Sequence, residues 1–363
     1  METRIAIVGF GQRGKDIVNQ CLKYSKETQI VVIADNNPQC MEYMNIPVVN
    51  TKDIVFYDYD EIWVCTVYYE EIRRQLVEEL DIDGKLIYFE EPVMPILDER
   101  IRLKYLNDDS KYHEYPLEYI EEAKARMYCY PFFDEYLVKE TEIHLDETCG
   151  MFYTFFNGKR MYLSRKFDTE QKARLYANQI LMEQDARCPH CYWNSDRIVN
   201  ASKNVVDVGA AEGIFGLKIL DNIEHLYMFE ADQDWIEALT HTYADYHDKV
   251  TIVDKYISDK NGARSISLDA YFDTIELAAI KMDIEGMEYA ALQGAANILS
   301  RNNLAMAICV YHHADDNEKI SKYLNELGYD CSNSKGWVIC QGDWELENDE
   351  TDFRRALLFA NKS

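Results

Sequence analysis

The chain has 363 residues, 47% of them hydrophobic, and a formal net charge of −27. Such a charge excludes a nucleic-acid partner, because phosphate repels it unless a basic patch intervenes, and the sequence holds none. It also argues against anionic membranes, and no apolar run reaches the ~18 residues of a spanning helix.

The length predicts two domains with an embellished connector. The opening residues, Met1-Glu2-Thr3-Arg4, run directly into a strand without a secretory leader, so a cytoplasmic location is expected. Ten cysteines are scattered without a framework, and Cys65 and Cys309 lie in apolar runs. They read as reduced core residues. Tyrosines crowd between Tyr105 and Tyr192. Packing accounts for most of them; a sugar-stacking platform is the other reading.

Arg4 to Gly9 reads as a strand and Lys15 to Tyr24 as a helix. Strands follow at Ile30 to Ala34, Glu61 to Val67 and Lys85 to Phe89, with a helix from Glu70 to Leu80. This alternation implies a parallel sheet. Between the first strand and helix lies Gly9-Phe10-Gly11-Gln12-Arg13-Gly14, a complete G-x-G-x-x-G, and Asp35 closes the second strand. Such glycines let a pyrophosphate approach the backbone, and the acid can hold a ribose diol. Gly9, Gly11, Gly14 and Asp35 therefore read as a site for NAD or a nucleotide sugar. The bland alternative is a Rossmann-like unit whose glycines serve only helix–strand packing. Phe89-Glu90-Glu91-Pro92 stands where sugar dehydrogenases of the Gfo/Idh/MocA type carry Glu-Lys-Pro. Glu91 replaces that lysine, so hydride transfer is not expected. The unit also resembles the nucleotide-sugar-binding domains of sugar-modifying enzymes. Pro92 and Pro95 mark its boundary, giving a first domain of 1–97.

Residues 98–165 read as a connector, helical and charged to about 145. Met151 to Phe156, Asn157-Gly158 and Arg160 to Leu163 then form a hairpin signal. A helix is expected from Phe167 to Ala186. Cys188-Pro189-His190-Cys191 matches a redox motif but lacks the preceding strand that thioredoxin-like chemistry needs. A zinc site would need a second ligand pair, which is missing. His190 remains as a polar group just ahead of the next strand.

Within a last domain of 166–363 the alternation resumes from 203, with strands expected at 204–208, 225–230, 250–254, 278–283, 305–311 and 356–360. The fold class is α/β: two doubly wound parallel-sheet, Rossmann-like domains joined by a helical and hairpin connector. In Val205 to Gly213 a strand enters a small-residue turn, and Glu230 ends the next strand. The spacing Gly209-x-x-x-Gly213, without a Walker lysine, favours S-adenosylmethionine (SAM) over NAD or ATP. Asp283 and Glu285 follow the fourth strand and His312 the fifth. Open α/β sheets bind ligands at such strand ends. Carboxylates and imidazoles gathered there are costly to bury without a use. Otherwise Asp283 and Glu285 cap a helix from Glu288 to Leu299.

The strings Val205 to Gly213, Phe229-Glu230-Ala231-Asp232, Ile280 to Glu288 and Leu292-Gln293-Gly294-Ala295 resemble FkbM-type SAM-dependent methyltransferases over residues 170 to 360. The resemblance implies O-methyl transfer to a sugar, a glycan or nucleotide-sugar precursor, or another small molecule. It implies a cofactor site at Asp207, Gly209, Ala210, Glu212, Gly213, Glu230, Ala231 and Tyr256. Asp283, Glu285 and His312 would face the acceptor hydroxyl. His312 is the first choice of general base, since its ordinary pKa lies near ~6.5; Asp283 is second. Alternatively Asp283 and Glu285 hold Mg²⁺. Two other readings stay open: an NAD-dependent oxidoreductase in the first domain, or a purely docking first domain. Monomer and homodimer are equally open.

Overall fold

A computed structural model describes residues 3–25, 28–66, 68–88, 100, 101, 104, 105, 127–340 and 352–362. The expectations for Phe89 to Pro92, for Pro95 and for most of the helical stretch from 98 to 126 lie outside the described residues. The chain forms two compact units, Met1–Cys129 with Ile339–Phe353, and Tyr130–Val338 with Arg354–Ser363.

The first unit is built on β1 (Thr3–Val8), α1 (Gln12–Tyr24), β2 (Thr28–Asp35), β3 (Glu42–Tyr43), β4 (Ile46–Asn50), β5 (Glu61–Val64), α2 (Tyr69–Arg74) and β6 (Ile87–Tyr88). The strand order is β3-β4-β2-β1-β5-β6. All neighbours are parallel except β3 and β4. Successive side chains of β1 feed opposite faces: Ile5 and Ile7 enter one core, Ala6 and Val8 the other. Such two-faced burial explains why the strand reads as a continuous apolar run. β3 and β4 were not expected, because Pro47 argues against a strand. It is tolerated one position from the sheet edge, opposite Glu42.

The second unit begins with a small antiparallel sheet, β7 (His144–Asp146), β8 (Met151–Phe156) and β9 (Lys159–Tyr162). The expected Asn157-Gly158 turn is present, with both residues at positive φ. Helix α3 (Glu170–Glu183) follows, its first turn capped by the Thr169 hydroxyl accepting the Lys172 N–H. Then come β10 (Asn204–Val208), α4 (Ile214–Ile219), β11 (His225–Glu230), α5 (Gln233–Thr242), β12 (Val250–Asp254), β13 (Tyr256–Ile257) and β14 (Ser265–Ile266). They lead to β15 (Leu277–Met282), α6 (Glu288–Gln293), β16 (Ala305–Cys309), α7 (Asp316–Glu326) and β17 (Asp330–Asn333). β20 (Leu357–Asn361) ends the fold, while the short β18 (Val338–Cys340) and β19 (Asp352–Arg354), which pair with each other, belong mostly to the Ile339–Phe353 segment of the first unit.

The main sheet runs β12-β11-β10-β15-β16-β20-β17. It is mixed, not wholly parallel as expected: β20 is antiparallel to both β16 and β17. β17 was missed because Asp330-Cys331-Ser332-Asn333 lacks apolar alternation; it is an edge strand, where polar residues discourage pairing with another chain. Helix α5 packs beneath the hairpin sheet, where Ala238 joins Met151 and Tyr162 in one apolar cluster. The Thr242 hydroxyl accepts the Tyr162 N–H at 2.9 Å.

The core below β10, β11 and β15 is closed by Phe272, fully buried and in edge contact with Tyr227 at 4.9 Å and Tyr271 at 4.8 Å. Phe272→Ala should cost about 3–5 kcal/mol. Chemical denaturation should show a lower midpoint at unchanged slope. An unmoved midpoint would show that this aromatic cluster does not hold the sheet.

Candidate active site

β10, β11 and β15 are parallel neighbours, so their carboxyl ends form one edge. A cavity of about 740 Å³ opens there, lined among others by Gly209, Phe229, Glu230, Trp235, Tyr256 and Asp283. Its size suits a small ligand. A hollow of about 710 Å³ lies at the opposite ends of the strands, away from the residues expected at a site. Lys203 meets Glu276 there at 2.5 Å.

The turn after β10 is shaped by its neighbours. Gly209 has φ +74°, and a Cβ would fall 1.8 Å from the Asp283 carbonyl oxygen. Gly213 has φ +81°, and a Cβ there would press on Leu239 and Tyr243 at 2.8 Å. Only glycine suits both the conformation and the space. Glu230 then fastens the turn to the tip of β11. Its Oε2 accepts the Ala211 N–H at 2.9 Å, and its Oε1 accepts those of Ala231 and Asp232 at 2.7 and 2.9 Å. A carboxylate has about four acceptor positions. Three are used, and the carboxylate lines the cavity with one left.

Of the residues expected at a cofactor, Gly209, Glu230, Ala231 and Tyr256 line the cavity. Asp207, Ala210, Glu212 and Gly213 stand behind it. Ala211 and Trp235, not expected, take their place on the wall. Tyr256 is 55% exposed, with the Arg264 guanidinium 5.2 Å from its ring centre. Trp235 is held by Tyr176, whose ring lies 5.4 Å away and is stacked on Phe167.

Asp207 is wholly buried and is the direct cross-strand partner of Lys281. Lys281 Nζ lies 3.1 Å from Asp207 Oδ1 and donates to the Gly209 carbonyl at 2.5 Å. Burial pushes the Asp207 carboxyl up to about 6, with the Lys281 charge pulling the other way. Burial opposes the Lys281 ammonium too, yet Asp207 and Asp283 hold it above its ordinary value. Glu212 is also buried, receives the Tyr176 hydroxyl at 2.8 Å, and is pushed by burial up to about 7. The sequence reading passed over Lys281, although a lysine inside an apolar strand is itself a signal of a buried partner.

The structure brings together Asp283, Glu285 and His312 and adds three groups. Tyr192 donates its hydroxyl to Asp283 Oδ2 at 2.7 Å, and His190 Nε2 stands 3.6 Å from the same oxygen. His312 Nε2 lies 3.6 Å from Asp283 Oδ1 and 3.5 Å from Glu285 Oε2. His312 Nδ1 lies 3.1 Å from Glu288 Oε1. The cap expected of Asp283 or Glu285 is absent: Met287 precedes α6, and the buried Glu288 accepts the Ile284 N–H at 2.8 Å. Burial alone would raise Asp283, but His190, Lys281 and His312 hold it well below the usual carboxylate range. Burial likewise works against His312, yet Glu288, Asp283 and Glu285 push it up to about 9. Among three carboxylates His312 is thus held above the ordinary imidazole value. Asp283 and Glu285 line the cavity, whereas His312 is behind them.

Cys188 and Cys191 are buried free thiols, both pushed up by burial, Cys191 to about 11. Their turn delivers His190 to Asp283 and Cys309, whose Sγ lies 3.4 Å from His190 Nε2.

In the first unit Gly9 has φ +96°, and a Cβ on Gly14 would fall 2.0 Å from the Gly9 carbonyl oxygen. Gly11 has open space around it. Asp35 accepts the Phe10 N–H at 2.7 Å and the Asn37 N–H at 2.8 Å. Oδ2 thus braces the glycine loop, and Oδ1 the turn that follows β2.

Residues 262–331 match the family model described as Methyltransferase FkbM domain, and residues 1–88 match that described as C2185-like, N-terminal. The first match contains Asp283, Glu285, Glu288 and His312. Among solved structures, the chain is similar to the methyltransferase FkbM of Methylobacillus flagellatus, at 16% identity and TM-score 0.37, over 99% of this chain and 90% of that one. It is similar to a Streptococcus mutans protein in complex with SAH, at 10% identity and TM-score 0.31, over 46% of this chain and 94% of that one. A SAM-dependent O-methyltransferase of Thermotoga maritima matches at 12% identity and TM-score 0.31, over 46% of this chain and 62% of that one. No curated protein matches. The stretch of the second unit that matches the FkbM domain model thus runs from 262 to 331 and includes the acidic end of the cavity.

Lys281→Met leaves a buried carboxylate without its counter-charge and should cost about 3–5 kcal/mol. The double variant Asp207→Asn/Lys281→Met should lose less than the single one; equal loss in both would mean that the pair is not coupled. Glu212 gives a pH signature. Its carboxyl goes from 4.5 to about 7 on burial, so the folded state binds the extra proton. Stability therefore falls as pH rises from about 4.5 to 7, by roughly 3 kcal/mol. Glu212→Gln should match the wild type below this window and be the more stable above it. Parallel melting curves across pH would contradict the assignment.

Proposed function

We propose that the second unit is a SAM-dependent O-methyltransferase acting on a hydroxyl of a sugar, a glycan or a nucleotide-sugar precursor. The carrying observation is one cavity with two chemically distinct walls, in a unit whose residues 262–331 match the FkbM domain. One wall offers Glu230 with its remaining acceptor position beside Tyr256 and Trp235. The other offers Asp283 and Glu285. Tyr256 suits an adenine face and Glu230 a ribose diol. The acidic wall favours a cationic sulfonium.

The cofactor supplies an already activated methyl group. The protein holds the acceptor oxygen in line with it, by proximity and orientation. The acceptor's proton passes to the cluster of Asp283, Glu285 and His312, in which Glu285 is the exposed carboxylate on the cavity wall. Tyr192, His190 and Lys281 fix Asp283. His312 stands behind it, with Nδ1 3.1 Å from Glu288 Oε1 and Nε2 3.6 Å from Asp283 Oδ1, and takes part in the same proton-handling cluster. For the first unit we propose binding of a nucleotide or nucleotide-linked substrate at Gly9, Gly11, Gly14 and Asp35. The open space at Gly11 supports that reading.

Calorimetry should find one SAM per chain. Tyr256→Ala removes an exposed side chain and should weaken SAM roughly tenfold to a hundredfold, as loss of base stacking does, with the melting temperature unchanged. Incubation of the full chain with SAM and nucleotide sugars should yield a product heavier by one methylene in mass spectrometry. No SAM binding by the wild type, or full affinity in Tyr256→Ala, would overturn the cofactor site.

A further inference from the structure

We infer that Asp283, Glu288 and His312 form a binding site for one divalent transition-metal ion of the Mn²⁺, Fe²⁺, Co²⁺ or Zn²⁺ kind. Each offers one donor atom, and these atoms all lie within 4.8 Å of one another. The spacing would need only small side-chain adjustments to close on an ion.

A second observation is independent of the clustering. Glu288 is fully buried, and its Oε2 has no hydrogen-bond partner. The His312 side chain is only 9% exposed, and neither ring nitrogen makes a directed hydrogen bond, although both face carboxylates. Buried polar atoms are nearly always hydrogen-bonded, and exceptions call for an explanation such as a bound ion. Here the imidazole stands between the two carboxylates, with Nε2 toward Asp283 and Nδ1 toward Glu288.

The donor set selects the ion. An imidazole nitrogen with two carboxylates suits borderline transition metals, whereas Mg²⁺ prefers oxygen ligands and water. This differs from the Asp283–Glu285 pair expected for Mg²⁺. The Glu285 side chain is 92% exposed and stands outside the buried group. His190 and Cys309 form a second grouping with Asp283, but there Tyr192 already occupies Oδ2. Asp283 Oδ1 points to His312, which places the ion on that side. Because Asp283 also lines the cavity, the ion would offer open positions to acceptor oxygens and lower the pKa of a hydroxyl bound to it. That use rests on the methyl-transfer reading; the ion site does not.

The test uses the full chain, stripped with a chelator and titrated with Mn²⁺ while the free-ion signal is followed by electron paramagnetic resonance. One Mn²⁺ per chain is expected, with Mg²⁺ competing only weakly. Electron spin echo modulation of the loaded wild type should show a coordinated imidazole nitrogen, a readout that needs no variant to fold. His312→Ala should abolish that modulation, and both His312→Ala and Glu288→Gln should weaken Mn²⁺ roughly tenfold or more. Absence of stoichiometric Mn²⁺ binding, absence of nitrogen modulation, or its persistence in His312→Ala would each overturn the site. SAM calorimetry on the stripped protein reports separately on the cofactor reading.

Discussion

A buried ammonium between two neighbouring strands organises the second unit. Lys281 stands opposite Asp207 in the pairing of β10 with β15, and it also reaches the Gly209 carbonyl. One cation therefore joins the two central strands to the turn that shapes the cavity. The glycine is required in return, because the Asp283 carbonyl occupies the space where a side chain would begin. The two loops that form the floor of the cavity are locked by backbone contact on one side and by charge on the other. A buried charge is tolerable only when paired and hydrogen-bonded, and this one is both.

The catalytic candidates inherit their character from that frame. Asp283 follows β15 directly and receives Tyr192, with His190 and His312 on either side. Three carboxylates surround His312, so its charge state is set by neighbours and not by its own chemistry.

Much of the architecture could be read from sequence because the central strands are buried on both faces. Val205 to Val208 and Leu277 to Met282 are apolar runs broken only by Asp207 and Lys281 and followed by glycine or acid, and that pattern betrays both the strand and its end. β17 and β4 could not be read this way: one is polar and at an edge, the other holds Pro47. At the site, glycines and acids announce themselves by spacing along the chain. Lys281, Tyr192 and Glu288 do not, because their roles arise from register and folding. Lys281 acts through its partner one strand away, and Tyr192 reaches Asp283 across 91 positions. The Cys188-Pro189-His190-Cys191 string misleads in sequence for the same reason. Its cysteines are packing groups, and the histidine between them is the group placed beside Asp283.

Glu230 has a further consequence. Its carboxylate is already fixed by three backbone N–H groups before any ligand arrives. A flexible side chain would lose rotamer freedom at the moment of binding, a cost of about 0.5–1.5 kcal/mol. Here that loss is met during folding, so under the proposed reading a ribose diol would meet an acceptor that is already aimed. The same bonds tie the turn after β10 to the tip of β11, so this end of the cavity is shaped before any guest enters it.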